Sequence, residues 1–316
     1  MEGSSTAVAS GFRGNGHLRV RTMSGRAAVL IAPVVLALLL SWMSDPAGAG
    51  ILDRIAEEGV MRAGTRASAA PFAQKTATGT FEGFSVDLLH EFRAAAEKTV
   101  GRPVRLELFE VTPADRLERV ASQELDIVCG ITTPTWDREE LVDFSLPFFR
   151  DGTRVMMYRK QASRGLDLNQ LTIGVVEGTT TIGILKNKIP AATLRFYADM
   201  EQAMRGLETE EVHGLANVGV VLLGLAARAE PRRSVLLMPR AAFLAAEFLA
   251  CVLPQDDSPW RDFINRNLVG MFAHEGDSGG RYLEIYDRWF GRDSAVFYPL
   301  DRSSRNYLRD VSIWSY

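Results

Sequence analysis

Residues 125–149, LDIVCGITTPTWDREELVDFSLPFF, constrain the fold of this chain more than any other stretch. Leu125 to Cys129 has the character of a buried strand, and it runs through Gly130 into a polar loop with Thr132 and Thr133, ahead of a helix start carrying Arg138. A strand tip that offers hydroxyls, free backbone groups and a guanidinium is suited to a small anion. The second half, Val142 to Phe149, is apolar, and Pro147 keeps it extended because proline lacks the amide hydrogen that a helix needs. A connection leaving one sheet for another has this form, and the run reads as a hinge.

On either side the chain alternates between strand and helix. Ile51 and Ile55 lie one helical turn apart before a stop at Gly59, Val60 to Gly64 reads as a strand, and Arg66 follows it. Ala70-Pro71-Phe72 is a turn, and Gly79 and Gly83 bracket a hairpin-like stretch. Val86, Leu89, Phe92 and Ala96 recur at helical spacing up to Gly101, and Val104 to Val111 alternates as a strand. Thr112-Pro113 predicts an N-cap with proline in the first turn of a helix that turns Leu117, Val120 and Ala121 inward. Strand, helix, strand, helix, strand predicts a parallel sheet. Beyond the hinge, strands over 154–159, 171–176, 215–218 and 235–238 alternate with helices opened by Gly178-Thr179-Thr180-Thr181 and running over 200–207 and 220–228. Residues 248–253 predict a return crossover, and helices over 259–274 and 281–290 follow it. The expected division is a leader over 1–49, one lobe over 50–150, a second over 151–246, and a return to the first over 247–316. Ligands of open α/β sheets sit at the carboxyl ends of the strands, so two such lobes enclose a cleft.

A net charge of -3 and a pI near 5.9 exclude the basic face that nucleic acid requires. Arg19, Arg21 and Arg26 precede an apolar run from Ala27 to Met43, and Ala47-Gly48-Ala49 supplies the small residues of a cleavage site. The run is about 17 residues long and contains Pro33, short of the roughly 20 that a membrane anchor needs, so it reads as a secretory signal cleaved near Ala49. Cys129 and Cys251 permit one disulfide in an exported chain, and two buried free thiols are the other reading. Neither cysteine stands at a lipid-attachment position, so the mature chain is expected free in the periplasm.

The run ITTPTWDREELVDFSLPFF is similar to the signature of the polar amino-acid family of periplasmic solute-binding proteins of ABC importers. The likeness covers most of Ile51 to Gly291 and is strongest to the glutamate/aspartate branch. It implies an α/β, type II two-lobed binding protein with two interlobe hinge strands. It also implies a monomer, without cofactor, metal or nucleic acid, that closes on a small carboxylate-bearing ligand and presents it to an ABC permease in the inner membrane. By the same resemblance Arg138 grips the α-carboxylate, with Thr133 and the carbonyl of Ile131 alongside. Arg66 and Arg116 take a side-chain carboxylate, and Phe72 walls the pocket. From the second lobe, Thr179 and Thr180 offer hydroxyls and backbone amides at a helix start, which favours anions.

This sequence departs from the family pattern at three positions. Pro113 replaces a hydroxyl just before Arg116, and Met200 stands where the acidic branch has a second-lobe histidine. The second-lobe aspartate that pairs the ligand's ammonium is absent, because the matching stretch HGLANVGVV offers Val218 and Gly219. Either Asn217 or Glu211 substitutes, or the ligand lacks an ammonium. Three arginines without an acid suit a dicarboxylate better than glutamate.

Enzyme motifs are incomplete. GDSGG at 276–280 copies a serine-protease motif but falls between two helices, with no Ala-His-Cys partner anywhere. His90-Glu91 and His274-Glu275 each lack the second histidine of a zinc helix. Two alternatives to a transport receptor stay open: a signalling or accessory module of the same fold, and a dehydratase-like enzyme using Glu177.

Overall fold

Helix α1 (Ile51–Glu58) begins where the Ile51 amide donates to Asp257 (2.7 Å) and ends where Gly59 takes a φ of 68°, the left-handed stop that glycine supplies. The computed structural model describes residues 50–162, 167–229, 234–240, 242–273 and 280–312. The expected leader, His274-Glu275 and residues 276–279 of the GDSGG motif lie outside the described residues.

After α1 come β1 (Val60–Thr65), β2 (Ser68–Ala69), β3 (Ala73–Lys75), β4 (Phe81–Glu82), α2 (Phe84–Val100) and β5 (Arg105–Glu110). Next are α3 (Arg116–Ala121), β6 (Ile127–Val128), α4 (Trp136–Glu139), β7 (Asp143–Phe144) and β8 (Phe149–Tyr158). The middle of the chain carries α5 (Arg159–Ala162), β9 (Thr172–Val176), α6 (Thr181–Lys188), β10 (Thr193–Tyr197), α7 (Met200–Glu208), β11 (Gly214–Val218), α8 (Gly219–Arg228) and β12 (Val235–Met238). The last elements are β13 (Ala245–Leu249), β14 (Val252–Leu253), α9 (Ser258–Phe272), α10 (Arg281–Phe290) and α11 (Arg302–Ser312).

The first lobe is built on the sheet β5-β1-β6-β14-β7, in which β1 runs parallel to both β5 and β6. The second is built on β10-β9-β11-β8-β12, with β9 parallel to β10 and β11. In each the strands that run parallel are joined through helices, as the alternating sequence pattern requires. The small antiparallel sheet β2-β3-β4 contains the hairpin expected between Gly79 and Gly83.

The hinge has a definite construction. The N-terminal half of β8 pairs antiparallel with β13, from Phe149 opposite Leu249 to Thr153 opposite Ala245. The same strand then continues into the second sheet against β11 and β12. Outgoing and returning crossovers are therefore one two-stranded ribbon. Beside it lies an aromatic core: Phe72 is 4.8 Å from Phe149, and Phe84 is 5.2 Å from Phe290 and 5.7 Å from Tyr282 between ring centroids. Each such fully buried ring contributes about 1.5–3 kcal/mol relative to exposure. The segment after α10 also rests on the ribbon. Tyr307 donates to the Pro147 carbonyl (2.8 Å), Tyr298 donates to Asp151 (2.7 Å), and Arg150 pairs with Asp301 (3.2 Å).

Several sequence expectations are corrected. The helix after Thr112-Pro113 starts at Arg116, because the Thr112 hydroxyl and the Asp115 carboxylate close a turn on each other's backbone amides first. The helix after Gly178 starts at Thr181, since Gly178 has a φ of 70° and cannot be its first turn. The strand β10 and the helix α11 were not expected. β10 is an edge strand whose residues are largely exposed, and α11 is so polar that Ser304 and Leu308 are its only buried residues. Among the described residues, no helix is long and apolar enough to cross a membrane.

Candidate ligand-binding site

Strand β6 delivers the site's first loop. Cys129, at its end, is joined by a disulfide to Cys251 in the return segment. The Ala250 amide donates to the Thr132 carbonyl at 3.0 Å and holds the same loop to the same segment. Thr135 then caps α4, its hydroxyl accepting from the Arg138 amide at 3.3 Å. From that turn the Arg138 guanidinium reaches back, donating to the Thr133 carbonyl at 2.6 Å and across the cleft to the Gly178 carbonyl at 3.1 Å.

Arg116, the first residue of α3, points to the same place. Its Nε donates to the Thr132 hydroxyl (3.0 Å), Nη1 donates to the Pro113 carbonyl, and Nη2 lies 3.5 Å from the Gly178 carbonyl. Burial pushes its pKa down to about 9, and the positive charges of Arg138 and Arg66 push in the same direction. Arg66, one residue past β1, is 8 % exposed and makes no hydrogen bond or ion pair with any described residue. Burial lowers its pKa to about 10, opposed by the more distant carboxylates of Asp199, Asp115 and Glu110. Buried cations are normally paired. Here Arg116 is instead within electrostatic reach of two other guanidiniums, those of Arg138 and Arg66.

Two glycines let the lobes meet. A Cβ on Gly178 would lie 2.8 Å from the Pro113 carbonyl oxygen, and one on Gly224 would lie 2.2 Å from that of Ala70. Between the lobes is a cavity of about 20 Å³, lined among others by Arg116, Ile131, Thr133, Arg138 and Thr180. Space of that size holds one water, so a larger guest enters only if the lobes part.

The sequence reading missed one group that lines this cavity. Glu247, on β13, is 2 % exposed. Its Oε2 accepts from the hydroxyls of Thr133 (2.8 Å) and Thr180 (2.5 Å), one from each lobe, and its Oε1 accepts from Thr153. The available signal was a single charged residue in the apolar run Ala-Ala-Glu-Phe-Leu-Ala. The absence of an acid from the site is therefore corrected.

The remaining expected residues divide. Ile131, Thr133 and Arg138 line the cavity with Arg116, and so do Thr179 and Thr180, although the Thr179 hydroxyl is committed to the Val176 carbonyl at 2.7 Å. Arg66 is buried nearby but does not line the cavity. Phe72 is corrected: it has no exposed surface, and its ring is enclosed by Phe84, Phe149 and Phe290. Glu211 is bound outside by Arg195 (2.5 Å) and by the Tyr197 hydroxyl (3.1 Å), so it cannot replace the missing aspartate. Asn217 does line the cavity, but its amide donates to the Met200 sulfur (3.2 Å) and its carbonyl accepts from the Val218 amide (2.8 Å). Glu177 is exposed and outside the cavity lining, which leaves the dehydratase reading without its acid. Among the described residues, no group of histidine, cysteine and carboxylate side chains could hold a metal ion.

Comparison with known proteins converges on one family. The model of the bacterial extracellular solute-binding proteins, family 3, matches residues 61–292. The chain is similar to the L-glutamate/L-aspartate-binding protein of Pseudomonas aeruginosa, 28% identical over 274 residues that cover 84% of each chain. It is 24% identical to the glutamate/aspartate import solute-binding protein of Escherichia coli, over 83% of this chain and 87% of that one. Its fold matches the crystal structure of the cysteine-binding protein from Campylobacter jejuni with a TM-score of 0.67, at 19% identity, over 81% of this chain and 98% of that one.

Proposed function

Since the chain belongs to the bacterial extracellular solute-binding proteins, family 3, we propose that it captures an acidic amino acid or dicarboxylate and delivers it to an ABC permease in the inner membrane. The observation that carries this reading is the excess of buried positive charge. Buried Arg116 and half-buried Arg138 line a cleft with buried Arg66 nearby, and among the described residues Glu247 is the only carboxylate lining the cavity. A guanidinium grips a carboxylate with two parallel hydrogen bonds, and the grip is strongest where water is excluded.

In this account the ligand enters between parted lobes. One carboxylate meets Arg138 and Arg116, which release the carbonyls they hold; a second meets Arg66, which holds none. Closure of the lobes then brings the Thr179-Thr180 turn onto the guest from the other side. Binding energy drives the hinge, and no bond is made or broken. The acidic preference is also that of the two similar proteins whose names specify glutamate and aspartate. Residues 50–150 with 247–316 form the first lobe in this reading and 151–246 the second, and the mature monomer works in the periplasm after cleavage near Ala49.

A thermal-shift screen of the twenty amino acids and the C4 and C5 dicarboxylates tests the proposal, because a ligand of the native form raises the melting temperature. A rise with an acidic amino acid or a dicarboxylate is expected. Rises confined to neutral or basic amino acids would contradict it.

A further inference from the structure

Glu247 is the one carboxylate lining the cleft among the described residues, and it sits on the hinge ribbon and not on either lobe's ligand loops. Three hydroxyls donate to it, from Thr133 after β6, Thr153 on β8 and Thr180 before α6. All three hydroxyls are placed against the two oxygens of one carboxylate, which accepts through both. No described cationic side chain comes within ion-pairing distance of it, although it is 2 % exposed. A buried carboxylate without a counter-charge is unfavourable, so such a group calls for a cation. Arg138 feels its field but spends its guanidinium on the Thr133 and Gly178 carbonyls.

We propose that Glu247 accepts the ammonium of the ligand, and thereby makes the site select α-amino acids over carboxylates that lack an amino group. The assignment rests on the reading just given, and it narrows it. Glu247 lines the same cavity as Arg116 and Arg138, so a guest whose carboxylate meets those arginines brings an α-substituent towards Glu247 Oε1 and Oε2. An ammonium there gains the carboxylate as counter-charge. The hydroxyls of Thr133 and Thr180 donate as well as accept, so they can turn to take its remaining hydrogens. A dicarboxylate without the amine would instead bring its own negative charge against Glu247 with nothing between them.

This arrangement differs from a simple latch. If Glu247 only fastened the two lobes together through Thr133 and Thr180, its loss would weaken every ligand alike. If it is the ammonium acceptor, its loss weakens only ligands that carry the amine.

The test is isothermal titration of the protein with L-glutamate and with glutarate, which has the same two carboxylates and no amine, and with L-aspartate and succinate as the shorter pair. The wild type is expected to bind the better amino acid at least about 100-fold more tightly than its deamino partner, in line with the cost of leaving a buried charge unpaired. Glu247→Gln, nearly the same shape, is expected to shrink that ratio to below about tenfold by weakening the amino acid while the dicarboxylate binds as before or better. Equal wild-type affinity within each pair overturns the assignment even if the variant does not fold. So does a Glu247→Gln protein in which both partners weaken together or the ratio stays put. If the wild type binds none of the four, the carboxylate reading of the site fails, and the role given to Glu247 falls with it.

Discussion

Asp151 and Glu247 stand directly opposite each other across the two crossover strands, and both are buried, at 1 % and 2 % exposure. Side by side on one ribbon, they answer to different parts of the molecule. Asp151 accepts from the Tyr298 hydroxyl and the Val220 amide, both at 2.7 Å, whereas Glu247 accepts from threonines of the cleft. The ribbon thus carries one carboxylate fixed by the C-terminal segment and helix α8 and another that lines the small cavity between the lobes.

The first of these should be visible in stability. Tyr298→Phe leaves one oxygen of Asp151 without its donor while keeping the ring stacked 6.3 Å from Phe149. Denaturant titration should show a loss of about 1–3 kcal/mol, the cost of a buried polar group deprived of a partner. An unchanged midpoint would mean that the contact contributes nothing.

Gly178 joins backbone strain to ligand binding. With a φ of 70°, and with only 2.8 Å between the place a Cβ would occupy and the Pro113 carbonyl oxygen, no other residue lets the second lobe come this close. Gly178→Ala should weaken ligand binding about tenfold or more, since a side chain in this region costs about 1–3 kcal/mol before any clash is counted. Calorimetry that returned the wild-type affinity would show that the approach seen here is not the one binding requires.

The disulfide between Cys129 and Cys251 closes a span of 122 residues that includes the whole second lobe. Replacing both cysteines with alanine should lower stability by about 2–4 kcal/mol, and reductant should do the same to the wild type. Melting curves that are identical with and without reductant would contradict this.

Arg116 should give ligand binding an alkaline limit. Burial pushes its pKa down to about 9, and a bound carboxylate favours the charged form. Affinity should be level below that value and fall as the pH rises through it, with proton uptake on binding near pH 9 that calorimetry in two buffers would detect. The sign follows because the anion binds the protonated guanidinium, so whatever removes the proton removes the grip. Affinity that holds steady to pH 10 would show that the Arg116 guanidinium keeps its proton in the folded protein.

Much of this architecture was legible in the residues themselves. The stretch from Leu125 to Phe149 declared strand, loop and crossover, because Pro147 forbids helix and the threonines mark the turn. Arg66 and Arg116, 50 residues apart, each follow a strand of one parallel sheet, so the approach of Arg116 to both Arg66 and Arg138 is what strands with a common direction produce. Phe72 was not separable, since an aromatic residue near a strand end fits a pocket wall and a core equally well. Glu247 was hidden for a different reason. A lone acid in an extended run has two possible faces, and only its register against Asp151 and Thr153 decides that it looks into the cleft.

In the proposed binding mode, buried Arg116 and half-buried Arg138 of one lobe hold an anionic guest which the other lobe then covers. The most direct test of this mode is the thermal shift produced by the best carboxylate ligand on the wild type and on Arg138→Ala. A clear rise is expected in the wild type and its abolition in the variant, with affinity lower by about 100-fold or more once two charge-assisted hydrogen bonds are gone. The same rise in both proteins would place the ligand elsewhere.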